Sequence, residues 1–321
     1  GQDIIRTWAF YTIAKALLHE DVTPWRHAAI SGWVLDPDRK KMSKSKGNAM
    51  TPLPFIDQYT ADGVRYWAAS ARLGVDTALD EKVFKVGKRL VTKLFNAGKF
   101  VLTQTAEVHP IHCELDRGFV AKLRGLVERA TQAFEKFNHA QVLQEAESFF
   151  WSHFTDTYLE LVKLRARSDT AEPAARGSAV ASLRLGLNVL LRLHAPFLPF
   201  ITEEVWSWAF AQETAHASIH RAPWPSEVDF AAVPAPDDAD SFDVALACLA
   251  AVNKAKADAA VSMGREVLRL GVAANAGTRA KLERVLSDVL GAARCEAATL
   301  LEDEALEDGA FEVREAEFAK N

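Results

Sequence analysis

Apolar residues recur at helical spacing over most of the chain. Ile4, Ile5, Trp8, Tyr11, Ile13, Ala14, Leu17 and Leu18 form the first such stripe, and a helix with so apolar a face needs a partner surface. A short strand is predicted over residues 28–35, "AAISGWVL". Two short helical patterns, "PLPFIDQY" and "ADGVRYWAASARL", follow the punctuation at Thr51-Pro52. From residue 81 to about 212 the helical period is nearly continuous. It breaks near His109-Pro110, near Asp116, near Asn138, between Ser168 and Gly177, and at Pro196 and Pro199. That pattern predicts a bundle of about five helices. A strand-like piece, "ASIHRAPWP", comes next, and "VPAPDDADS" at 233–241 reads as an acidic, proline-rich linker. The remainder alternates: a helix from Phe242, a strand "EVLRLGVAA", a helix near Arg279 to Leu290, then strand candidates "EAATLL" and "AFEVREA". This predicts a small α/β unit.

The expected architecture is therefore mainly α, in segments 1–52, 53–80, 81–225, 226–241 and 242–321. Little before the basic loop described below could cover the first helix, so the chain reads as a fragment cut inside a larger domain. Composition bounds this picture. At 321 residues and 49% apolar content, two or three domains can bury real cores. The net charge of −5 means that any contact with nucleic acid must come from local basic patches. Cys113, Cys248 and Cys295 lie far apart and make no C-x-x-C pair, which suits a reducing compartment and offers no zinc spacing. No apolar run reaches the roughly 18 residues of a membrane span.

The densest chemistry lies in "DRKKMSKSKGN", residues 38–48, with five basic residues and two serines. Lysine is a compact point charge with three donors and suits phosphate oxygens. Serine hydroxyls add neutral donors, and glycine permits a tight closure. Such a loop could close over a polyphosphate and neutralise charge developing in a transition state. It is not a Walker loop, because the G-x-x-x-x-G-K spacing is absent. A solvated basic turn fits the residues equally.

A second basic feature runs along one helix. Between Lys82 and Lys99 there are six basic residues and no acid. At about 100° per residue, Lys82, Lys85, Arg89, Lys93, Asn96 and Phe100 fall along one stripe about 27 Å long. Val83, Val86, Leu90, Leu94, Ala97 and Val101 form an adjacent apolar face, and Gly87 and Gly98 beside it let a neighbour come close. Cations with a terminal ring are what unpaired RNA bases require. A solvated face with Phe100 folded inward is the competing reading. Other candidates point to structure. The aromatic run Phe149, Phe150, Trp151, His153, Phe154 and Tyr158 reads as bundle core, as do Trp206 and Trp208. His109, His112 and Cys113 lack a matching second ligand pair for a metal. The acidic end from Glu302 to Glu317 reads as a solvated face.

Four segments carry a family resemblance. "KMSKS" at Lys41 to Ser45 resembles the signature of class I aminoacyl-tRNA synthetases, and "KMSKSKGN" after a "GW" strand resembles their branched-aliphatic subgroup. "GQDIIRTW" at the start, "HAPFLPFITEEVW" at 194–206 and "VSMGREV" at 261–267 resemble the C-terminal third of valyl members. The resemblance implies the end of a Rossmann-type catalytic domain, then a helical anticodon-binding bundle, then a small C-terminal α/β domain. It implies that Lys44 stabilises the triphosphate of ATP during amino-acid activation with help from Lys41. It implies that Asp3 binds the ribose, that Trp33 and Val34 line the adenine, and that Ser43 and Ser45 belong to the ATP loop. Lys82, Lys93 and Phe100 would then contact the anticodon, with Lys82 standing where some relatives carry arginine. ATP with Mg2+ and valine would be substrates of the full enzyme and valine tRNA its partner, in a cytoplasmic monomer without a membrane or a metal site in this part. The H-x-G-H signature of the class occurs nowhere in the chain, so this part alone is expected to be inactive. A stand-alone helical RNA-binding module and an isoleucyl or leucyl relative are the alternatives.

Overall fold

The computed structural model describes residues 1–43, 45, 47–104, 107 and 109–319. Helix α1 (Trp8–Glu20) leads to strand β1 (Val34–Leu35), helix α2 (Leu53–Ala69) and strand β2 (Thr77–Ala78). The bundle helices are α3 (Glu81–Leu102), α4 (Glu114–Glu135), α5 (His139–Phe149), α6 (Leu159–Arg167), α7 (Pro173–His194), α8 (Pro199–Ser207) and the single turn α9 (Phe210–Glu213). A π-helical stretch, Phe150–Tyr158, joins α5 to α6 without a break. The described residues thus form the five expected rods, at 81–102, 114–135, 139–167, 173–194 and 199–207. Then come α10 (Ser241–Asp258), β3 (Val267–Ala274), α11 (Ala276–Glu283), α12 (Leu286–Ala293), β4 (Thr299–Glu302) and β5 (Glu312–Phe318). The mainly helical expectation holds. The long strand expected at 28–35 shrinks to β1, because its partner β2 offers only Thr77 and Ala78 for parallel pairing.

The chain folds into two compact units. One comprises residues 1–96, 129–147 and 191–222, the other 97–128, 148–190 and 223–321. In the first, Phe84 is the hub: Phe55 and Tyr59 of α2 stack on its ring at 5.1 and 5.5 Å. The apolar face of α3 is turned slightly from the expected one. Phe84, Leu90, Leu94, Ala97 and Val101 are buried, whereas Val86 is 38% exposed. The reason is Gly87, where a Cβ would stand 2.8 Å from the Tyr66 side chain. The close approach expected there is made by α2. The Asp62 carboxylate accepts from the N–H groups of Phe200 and Ile201, at 3.3 and 2.8 Å, and so caps α8. Arg65 donates to the carbonyls of Pro196 and Phe197. The proline-marked turn is therefore held by α2.

In the second unit Phe119 of α4 stacks on Tyr158 at 4.0 Å, and Phe154 and Phe242 pack around them. Phe149, Phe150, Phe154 and Tyr158 are buried, whereas Trp151 and His153 of the same run are only half-buried. Trp206 is buried too, but Trp208 is 37% exposed. Beneath the rings lies a buried charge cluster. Arg165 donates to Asp116 at 2.7 and 2.9 Å and to Asp288 at 2.8 and 3.1 Å. Tyr158 and Ser178 also donate to Asp116, at 2.7 and 2.6 Å. The C-terminal sheet has the order β4-β3-β5, with β3 parallel to β4 and antiparallel to β5.

The segment that reads as a linker is pinned. The Glu114 carboxylate accepts from the N–H groups of Asp237 and Asp238, both at 2.9 Å, and from the Ser241 hydroxyl at 2.5 Å. Arg117 donates to the Ala235 carbonyl and to Asp237. Burial pushes the Glu114 carboxyl up, but these donors and Arg117 outweigh it and hold the group below its ordinary value. A lowered folded value means stability present above the ordinary carboxyl range and lost as pH falls through the folded value. Glu114→Gln is expected to cost about 1–3 kcal/mol in urea unfolding at pH 7. The gap from the parent should close as the buffer is acidified through that carboxyl's titration. A gap independent of pH would show that the charge does not matter.

Candidate functional site

The basic loop hangs from a small hairpin built on Asp36. Backbone Lys40 and Asp36 exchange hydrogen bonds: Asp36 N–H donates to the Lys40 carbonyl, and Lys40 N–H to the Asp36 carboxylate, each at 2.8 Å. Met42 N–H donates to the Val34 carbonyl, and Leu35 bridges Lys41 in antiparallel fashion. Asn48 closes the loop. Its amide donates to Asp36 at 2.8 Å and to the Lys41 carbonyl at 3.3 Å, while its oxygen accepts from Ser43 N–H at 3.0 Å. Gly47 makes the turn possible with φ +69°, a conformation that suits a residue without a Cβ. The Asn48 amide, and then the Lys40 N–H, hold the Asp36 carboxyl below its usual range. Sequence reasoning saw the Gly-Asn pair but missed Asp36. The signal was present as Asp-Pro-Asp-Arg, an aspartate opening a turn.

Three of the expected site residues meet. Lys41 Nζ donates to Asp3 Oδ2 at 2.7 Å, and Trp33 Nε1 donates to the same oxygen at 3.2 Å. The Lys41 ammonium also lies 4.2 Å from the centre of the Trp33 ring. The hydrogen bond from Lys41 is the main reason the Asp3 carboxyl titrates below its ordinary value. Asp3 and Lys41 are largely exposed, with 60% and 43% of their side chains accessible. A solvated pair of this kind is held weakly and can exchange partners. Trp33 is placed by Asp76, whose carboxylate accepts from its N–H at 2.8 Å. Gly32 lets that approach occur, since a Cβ there would meet the backbone of Val75 at 2.2 Å. Asp76 carried no sequence signal because it acts across 43 residues. Val34 is 42% exposed, and the hydroxyls of Ser43 and Ser45 lie 3.2 Å apart. Lys44 lies outside the described residues. The arrangement brings together a carboxylate able to accept from vicinal hydroxyls, a flat aromatic ring, and a cation tethered between them.

On α3, Lys82, Lys85 and Arg89 are exposed, and Lys93 and Phe100 are half-buried. Lys88 is committed elsewhere, donating to the Gln58 carbonyl at 2.9 Å. The Phe100 ring carries the Arg167 guanidinium at 4.5 Å from its centre. Its carbonyl accepts from the Gln104 amide at 2.6 Å, which fixes the end of the helix. Arg167 escaped the sequence reading because it lies 67 residues further along, at the end of α6. Among the described residues no group of three or more His, Cys, Asp or Glu side chains is arranged to hold a metal. None of the described helices is long and apolar enough to cross a membrane.

Comparison with known proteins identifies two matching families. The family described as "tRNA synthetases class I (I, L, M and V)" matches residues 1–80. The "Anticodon-binding domain of tRNA ligase" family matches residues 116–271. Helix α3 lies between the two matches. The chain is 48% identical over 298 residues to a valine–tRNA ligase of Thermobifida fusca, covering 91% of this chain and 33% of that protein. It is 45% identical over 304 residues to the valine–tRNA ligase of Cutibacterium acnes, covering 94% and 34%. The chain thus spans about a third of the length of the curated relatives it matches. Among solved structures, the apo form of Mycobacterium tuberculosis methionyl-tRNA synthetase is similar with a TM-score of 0.51 at 16% identity, over 64% of this chain and 42% of that one, which speaks to the fold alone. With the family matches over residues 1–80 and 116–271 and the 45–48% identity to valine–tRNA ligases taken together, the chain belongs to the class I aminoacyl-tRNA synthetases, in their valyl branch.

Proposed function

We propose that this chain serves within a valine–tRNA ligase, which joins valine to its tRNA at the expense of ATP and Mg2+ in the cytoplasm, as a monomer. The chain contributes two parts of that work. Residues 1–52 supply the ribose and phosphate side of the ATP site, through Asp3, Trp33, Val34, Lys41, Ser43, Lys44 and Ser45. The helical region supplies anticodon recognition, through Lys82, Lys93 and Phe100 on α3. The observation that carries the reading is the identity of 41–48% to valine–tRNA ligases. The convergence of Lys41 and Trp33 on Asp3 supports the nucleotide half.

Asp3 is engaged by Lys41. A ribose that bonds to Asp3 competes with that lysine. Its release would make the cation available for phosphate as the loop closes, a gating step. The Phe100 ring is half-buried with the Arg167 guanidinium over it, and a base stacking there would meet both the ring and that cation. Phe100→Ala is expected to weaken binding of a valine-anticodon stem-loop by about tenfold or more, as for loss of one base–aromatic contact. Fluorescence anisotropy with a labelled hairpin reads the change directly. Unchanged affinity removes Phe100 from the recognition surface.

A further inference from the structure

A cavity of about 670 Å³ lies in the second unit between α6 and the end of α12, within the roughly 300–1,000 Å³ range of small-ligand sites. Its apolar walls come from Leu164 on one side and Leu290 and Ala292 on the other. Leu164 is 60% exposed, and it crosses α12 at Gly291, where a Cβ would stand 3.3 Å from its side chain. The polar lining is balanced. Lys163, Arg167 and Arg294 face Glu160, Glu266 and Glu296, and Lys163 is already paired with Glu160 at 3.1 Å. Three cations offset by three carboxylates do not suit a polyphosphate. They suit a flat, neutral group whose edge carries both donors and acceptors, which describes a nucleobase.

Two arginines at this cavity have guanidinium donors to offer a ligand. Arg167 lines it and also covers the Phe100 ring. Among the described residues no hydrogen-bond or ion-pair partner is seen for its guanidinium, so the fork of donors remains available to a phosphate. Arg294 caps α12 with φ 55° and ψ 51°, a left-handed position that favours glycine or asparagine. Its guanidinium donates to the Gly264 carbonyl at 3.0 Å, which leaves further N–H groups at the cavity rim.

We infer that this cavity is a second nucleotide subsite, which receives the unstacked base adjacent to the one on Phe100 while Arg167 holds the phosphate between them. The inference rests on the stacking role proposed for Phe100, and the test separates the two. The 321-residue chain is titrated with the valine-anticodon hairpin and with a set of hairpins lacking one loop base each. Ala292→Trp fills the cavity without touching Phe100, and Arg167→Ala removes the bridge from an exposed position. Each is expected to weaken the intact hairpin about tenfold, the size of one lost hydrogen-bonded contact. The Ala292→Trp loss should vanish for one abasic hairpin, and the Phe100→Ala loss for its neighbour. If Phe100→Ala weakens binding while Ala292→Trp and Arg167→Ala do not, the subsite is wrong and the stacking role stands. If Ala292→Trp weakens binding with the expected abasic signature and Phe100→Ala does not, the subsite stands and the stacking role falls. If the Ala292→Trp loss is the same for every abasic hairpin, no base enters the cavity and the inference is overturned. Should Ala292→Trp fail to fold, the smaller Ala292→Leu, which narrows the same cavity, is run through the abasic series in its place.

Discussion

Replacing Arg165 by methionine is expected to cost the chain about 3–5 kcal/mol, the range for breaking a buried ion pair from one side. The side chain of Asp116 is fully buried and that of Asp288 is 9% exposed. Methionine fills much of the volume but leaves both carboxylates without their cation, in a site largely shielded from water. The loss is not that of one contact, because Arg165 also donates to the Ala175 carbonyl at 2.8 Å. The cluster therefore joins α4, α6, α7 and α12. Burial already raises the Asp288 carboxyl above its ordinary value, with Arg165 opposing the rise. An acid with a raised folded value favours the folded state below its unfolded value, and that contribution is lost as pH rises through the folded one. Without Arg165 the rise is larger, because two carboxylates then share the site. The deficit of Arg165→Met should accordingly be smaller near pH 4 than at pH 7. Urea unfolding at both values checks the size and the sign. A deficit under about 1 kcal/mol at pH 7 would mean that the cluster is no more than a surface-grade ion pair.

Lys44→Ala, made in a complete synthetase carrying this chain, is expected to lower valine-dependent ATP–pyrophosphate exchange by about 10²–10³-fold, the scale for losing one donor aimed at transition-state charge. The loss should appear in kcat, since the contact forms as charge develops on the phosphates. Asp3→Ala should act differently. It would remove the proposed ribose acceptor and should raise KM for ATP more than it lowers kcat. Lys41 is paired with Asp3. Steady-state exchange kinetics for the two variants would show the split. Equal changes in kcat and KM for both would argue that the loop and the ribose acceptor do not have separate roles.

The helical period made the architecture legible, because each rod presents an apolar face whose spacing is fixed by the helix itself. The breaks expected near His109-Pro110, Asn138, Ser168 to Gly177 and Pro196 to Pro199 fall at or beside observed turns, whereas the one expected near Asp116 lies inside α4. What escaped reading depends on partners distant in the chain. Phe84 supplants Val86 at the α3 seam because Tyr66 occupies the space over Gly87. The acidic, proline-rich stretch before α10 looks like free linker until Glu114 is seen accepting three hydrogen bonds from it. The π-helical stretch at 150–158 has the composition of ordinary helix, and nothing in the residues marks the wider winding. At the candidate site the motif named the loop, and local turn chemistry could have named Asp36. Asp76 and Arg167 were invisible, since each serves a residue more than 40 positions away.

The central claim is that α3 and its surroundings recognise the valine anticodon rather than phosphate in general. Binding of this chain to valine and isoleucine tRNA transcripts at 50 and 200 mM salt tests it most directly. Phosphate contacts alone weaken both complexes together as salt rises. The account predicts tighter binding of the valine tRNA, with the preference surviving at the higher salt. Equal affinity for the two tRNAs at both salt levels would contradict it.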